Sequence, residues 1–118
     1  MKKLLWLDDM RDPNSGDWLL RYASEYYYHS DVNKVYWVKD YDEFTQWINQ
    51  NGLPDKICFD HDLGLDRSGY DAAKWIVEYC IDNNLDMPEW RVQSANPVGV
   101  NNINQLLNKA KNHLDNSR

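Results

Sequence analysis

The stretch Leu4-Leu5-Trp6-Leu7-Asp8-Asp9 (LLWLDD, residues 4–9) decides how this chain folds. Its apolar residues run without alternation, and two carboxylates end them. A run with no polar face suits a strand covered on both sides, as in a parallel sheet between helices. Three more short runs, at 35–38, 57–59 and 91–93, read as further strands.

Helical spacing fills the gaps between the runs. Trp18, Leu19, Tyr22, Ala23 and Tyr26 recur at i, i+3/i+4, and so do Phe44, Trp47 and Ile48 behind Asp40 and Glu43. Asp40 and Glu43 have capping-box spacing, and Gly52 and Pro54 stop that helix. A third helix begins near Gly69 and turns Ala72, Ala73, Ile76, Tyr79 and Cys80 inward. The fourth follows Asn96-Pro97, an N-cap and N1 pair, with Ile103, Leu106, Leu107, Ala110 and Leu114 as its apolar stripe. The order βαβαβαβα predicts an α/β three-layer sandwich, with a short parallel sheet of about four strands and helices on both faces.

The 118 residues suffice for a single domain over 1–118, which buries roughly two-thirds of the surface of the unfolded chain. Six Trp and eight Tyr in a chain that is 42% hydrophobic indicate a packed globule. Thirteen Lys and Arg against 19 Asp and Glu leave a net charge of −6, with no basic run, so no footprint for duplex DNA is expected. The apolar run at 4–7 is too short for a signal segment or a membrane span. Cys58 and Cys80 lie in core patterns without metal-ligand spacing, and they read as buried free thiols of a cytoplasmic protein.

In a parallel sheet, ligands bind at the carboxyl ends of the strands, near the point where strand order reverses. Polar residues collect at those ends. Asp8, Asp9, Arg11 and Asp12 follow the first strand; Asp60, His61 and Asp62 follow the third; Ser94 and Asn96 follow the fourth. Two charged carboxylates about 4 Å apart repel by roughly 4 kcal/mol at an effective dielectric of 20, so convergence of several demands a cation or shared protons. Carboxylate oxygens without thiolate or paired imidazole select Mg²⁺ or Mn²⁺ over zinc. The metal candidates are Asp8, Asp9, Asp60 and Asp62. Taken singly, each Asp reads equally as a helix cap or a solvated loop residue.

His61 is a candidate general acid or base, against a surface hydrogen-bonding role. Arg11 and Arg67 are the nearest basic groups for a phosphate, each with an Asp nearby as an alternative partner. Ser94 offers a hydroxyl. Asn96 to Gly99 opens a helix whose backbone N–H groups suit an anion. The run Tyr26-Tyr27-Tyr28 reads as packing rather than base stacking, and the tryptophans as core.

Together these residues resemble the response-regulator receiver fold: an acidic pair after strand one, an Asp after strand three, a hydroxyl after strand four. A fifth strand and its following lysine have no counterpart, since Lys109 and Lys111 fall within the last helix. The chain is more similar to the cyclic-phosphate-processing receiver-like family of bacteria and phages. That pattern is met by Leu7 to Pro13 (LDDMRDP), Asp60 to Gly64 (DHDLG), Gly69 to Asp71 (GYD), Ser94 to Gly99 (SANPVG) and Asn102-Ile103. The resemblance implies a flavodoxin- or receiver-like fold and a metal-supported site acting on cyclic or terminal phosphates of nucleotides or RNA.

On that basis Asp60, His61, Arg11 and Ser94 are the candidate catalytic residues, and Asn96 and Gly99 the candidate ligand-binding ones. Gln93 stands where the family pattern has His. Gln exchanges no proton at neutral pH, so acid or base duty passes to His61 or water. The alternatives are a non-catalytic module that binds a nucleotide or protein partner, or a phosphoacceptor signalling domain using Asp60 or Asp62.

Overall fold

The structure, a computed structural model, describes residues 2–13, 32–60, 63, 67–92 and 96–116. Strands β1 (Lys2–Leu7), β2 (Val32–Val38), β3 (Lys56–Phe59) and β4 (Glu89–Val92) form one sheet in the order β2-β1-β3-β4. Every pairing is parallel, with Leu5 beside both Tyr36 and Ile57, and Ile57 beside Trp90. The chain steps from β1 outward to β2 and then back across β1 to β3. The reversal of strand order therefore lies between β1 and β3.

All four strands start earlier than their apolar runs. Ladder hydrogen bonds need only backbone, so polar residues extend the strands at the amino edge. There Lys56 Nζ donates to Glu89 Oε2 at 3.0 Å across β3 and β4.

Three helices are described: α1 (Tyr41–Asn51), α2 (Gly69–Asn83) and α3 (Pro97–Asn116). Asp40 caps α1, its Oδ1 accepting from the Glu43 N–H at 2.8 Å, but Glu43 Oε1 accepts from Lys39 N–H at 3.1 Å rather than from Asp40. The helix ends at Gly52, whose φ of +82° is open to glycine without strain and whose N–H donates to Ile48 O at 2.7 Å. A capping box of Ser68 and Asp71 starts α2, and Asn84 in the left-handed region (φ 54°) ends it. The helical repeat at 18–26 and the tyrosine run at 26–28 lie outside the described residues.

The period-two alternation of the strands assigns their side chains to two faces. Leu5, Leu7, Ile57 and Phe59 point to the face that α1, α2 and α3 cover, and they join one apolar core with Phe44, Ile48, Ile76, Ile103 and Leu107. Leu4, Trp6 and Cys58 point the other way and are equally buried. Each large side chain removed from water in this way contributes about 1.5–3 kcal/mol. The continuous run that opens the chain is thus a strand enclosed on both sides. Both cysteines are free and buried, and burial pushes the Cys58 thiol well above the ordinary thiol range. No helix among the described residues is long and apolar enough to cross a membrane.

Candidate functional site

The sheet itself brings the first two carboxylates together. Leu7 pairs with Phe59, and the ladder continues one residue past both strand ends: Asp60 N–H donates to Leu7 O at 3.0 Å, and Asp8 N–H donates to Val38 O at 3.1 Å. Asp8 and Asp60 therefore stand side by side on adjacent strands, whose ordinary spacing is about 4.8 Å. Asp9 completes the group. One carboxylate oxygen from each of Asp8, Asp9 and Asp60 lies within 4.8 Å of the others. Asp8 and Asp60 are buried, at 1% and 6% exposure, and Asp9 is half-buried.

Three like charges in this space would drive the edge apart without compensation, and part of the compensation is local. Asp8 Oδ1 accepts from the backbone N–H groups of Met10 and Arg11, both at 2.9 Å, in an Asx-type turn that folds the loop back over the strand end. The Arg11 guanidinium lies 3.6 Å from Asp8 Oδ2. Arg11 thus balances the cluster from within and is 28% exposed, which leaves it on the rim.

Two tryptophans hold the same loop. Trp37 Nε1 donates to Asp8 O at 2.7 Å, and Trp6 Nε1 donates to Arg11 O at 3.0 Å. From sequence these indoles read as core and nothing more. Trp6 is fully buried and Trp37 half-buried, and their single polar atoms also fix the acidic turn. The available signal was the need of a buried indole N–H for an acceptor beside a loop rich in carbonyls.

The donor set, three carboxylate oxygens without thiolate or imidazole, fits a hard divalent cation. Asp8, Asp9 and Asp60 are the described residues that can hold such an ion. Asp62, His61, Gly64, Gln93 and Ser94 lie outside the described residues.

The remaining candidates take definite places. Asn96 Oδ1 accepts from Gly99 N–H at 3.2 Å, and Asn96 O accepts from Val100 N–H at 3.0 Å. The Gly99 amide is therefore engaged in capping α3. Since Pro97 has no N–H, the amide of Val98 is the one in this first turn that makes no such bond among the described residues. Arg67 stacks over the Tyr41 ring at 4.4 Å from its centroid, a cation–π contact that occupies it.

Comparison with known proteins agrees with this geometry. The sequence model of the cyclic-phosphate processing receiver domain matches residues 3–109. Among similar solved structures is one described as amino acids 181–211 of the yeast Spc42 trimeric coiled coil fused to another structure. It is 18% identical with a TM-score of 0.61 over 89% of this chain, and at that identity the likeness concerns the fold alone. The match spans 61% of that longer chain. No curated protein matches the sequence. The family match runs from the second residue of β1 into the last turns of α3 and takes in the acidic edge, and the chain therefore belongs to the cyclic-phosphate processing receiver domain family.

Proposed function

We propose that this receiver-like domain is a divalent-metal-dependent phosphoesterase acting on cyclic or terminal phosphates of nucleotides or RNA ends. The observation that carries the reading is the convergence of Asp8, Asp9 and Asp60 oxygens within 4.8 Å at the switch point of the sheet. A Mg²⁺ or Mn²⁺ ion bound there supplies Lewis-acid polarisation of a phosphoryl oxygen and acidification of water.

The chain's own residues do the rest. Asp8 and Asp60 orient the charge at the strand ends, and Asp62 adds a further carboxylate in this assignment. Arg11, on the rim, meets charge that develops on the phosphoryl oxygens. The Val98 N–H and the Ser94 hydroxyl orient a phosphate from the α3 side, with Asn96 holding the turn. His61 takes the acid or base role, because Gln93 cannot move a proton at neutral pH.

The test is incubation with 2′,3′-cyclic and 3′,5′-cyclic nucleotides in Mn²⁺ or Mg²⁺, with products separated by ion-exchange chromatography. Turnover that disappears in EDTA and in Asp8→Asn supports the reading. Absence of both turnover and Mn²⁺ binding sinks it. Gln93 favours one second reading, binding without hydrolysis, which predicts a saturable, metal-dependent nucleotide complex and no product.

A further inference from the structure

Tyr70 and Asn102, which the metal chemistry leaves unused, line one cleft in the folded chain. With Gln105, Leu106 and Lys109 they line a cleft of about 150 Å³ between α2 and α3. Tyr70 is the second residue of α2, and Asn102 lies about 8 Å along α3 from its first residue at 1.5 Å per residue. The cleft therefore begins just behind the sheet edge that carries the carboxylates.

Its lining is chemically mixed in an informative way. Tyr70 and Leu106 give apolar surface and are each partly buried against the core. Among the described residues, the Tyr70 hydroxyl and the Asn102 and Gln105 amides make no side-chain hydrogen bond. Lys109 adds a cation, and Lys74 Nζ stands 6.0 Å from the Tyr70 ring centroid. Lys109 is the cation of the lining itself, and Lys74 stands behind the Tyr70 ring.

We propose that this cleft is a base-binding subsite, which takes one unpaired nucleobase of an RNA end whose phosphate sits at the acidic cluster. The inference rests on the phosphate reading above and adds what it lacks, a way to recognise the rest of the ligand. Unpaired bases are held by aromatic side chains and read along their edges by hydrogen bonds. Asn and Gln amides present a donor and an acceptor together, the pairing that suits a base edge. A space of this volume admits a six-membered ring. Lys109, on the cleft wall, supplies a positive charge for one phosphate of the end, and the net charge of −6 limits the contact to a short end.

The test uses the full chain, a tetraribonucleotide ending in a 2′,3′-cyclic phosphate, and the triple variant Asn102→Ala, Gln105→Ala, Lys109→Ala. All three positions are exposed, so the variant keeps its fold, checked by circular dichroism. Its affinity for the tetranucleotide falls by at least about tenfold, as expected for three lost polar contacts, while Mn²⁺ affinity is unchanged. Side-chain amide NMR signals of Asn102 and Gln105 shift when the tetranucleotide is added to the wild-type chain. A tetranucleotide that binds wild type and variant alike, or binds neither, overturns the subsite. The phosphate reading fails separately: an Asp60→Asn chain that retains Mn²⁺ affinity and turnover refutes the metal site but leaves the amide shifts standing.

Discussion

Replacing Asp60 by Asn should stabilise the protein in EDTA and weaken it, relative to wild type, in saturating Mg²⁺. Three charged carboxylates with oxygens no more than 4.8 Å apart form three repulsive pairs, and Asp60 takes part in two. Each pair costs about 3.5 kcal/mol at an effective dielectric of 20 and about 0.9 kcal/mol at that of water. The Arg11 guanidinium, 3.6 Å from Asp8, and the half-exposed position of Asp9 bring the net relief down. The expected gain is about 1–3 kcal/mol, or about 4 °C in Tm per kcal/mol for a chain of this size. Asn keeps the shape and one acceptor oxygen, so packing changes little.

Mg²⁺ reverses the ranking. An ion at a thousand times its Kd stabilises wild type by about 4.1 kcal/mol, more than that gain, and the variant has lost one of the three carboxylates that hold it. Urea unfolding of both chains, in EDTA and across a Mg²⁺ series, reads both effects. A variant that is less stable than wild type in EDTA, with an equal Mg²⁺ response in both chains, would refute the reasoning.

Three more predictions follow from the geometry. Trp37→Phe removes the indole donor to Asp8 O, costing about 1 kcal/mol by urea unfolding and lowering Mn²⁺ affinity measured by calorimetry, because the acidic turn loses an anchor. Ser68→Ala breaks the capping box of α2 and costs about 1 kcal/mol in the same unfolding assay, with no change in Mn²⁺ affinity. Cys58, buried with its thiol pushed up, resists iodoacetamide in the native state and is alkylated only in denaturant, as read by mass spectrometry. Below the ordinary thiol value both states are protonated; above it only the unfolded chain ionises at this residue, so stability falls progressively as pH rises from that value toward the raised native one.

Local pattern alone determined the described elements and their order. An uninterrupted LLWL run has no polar face to give to water, and the stripes beginning at Phe44, Ala72 and Ile103 have the period of a helix, so a parallel sheet with covering helices follows from burial. The aspartates at strand ends were readable for the same reason: a parallel sheet sends all its carboxyl ends to one edge. Pattern placed the amino ends of all four strands too late, because ladder hydrogen bonds are indifferent to side-chain polarity.

What tertiary structure decided is which groups meet and which are already engaged. The register Leu7 to Phe59 puts Asp8 opposite Asp60, and no periodicity within either segment contains that pairing. Hydrogen-bond competition assigned the Gly99 amide to the Asn96 cap, Arg11 to Asp8, and the indoles of Trp6 and Trp37 to the acidic turn. The packing of α2 against α3 brought Tyr70 to Asn102, residues 32 positions apart in the chain. Each of these depends on distances between separate segments, which only the packed core sets.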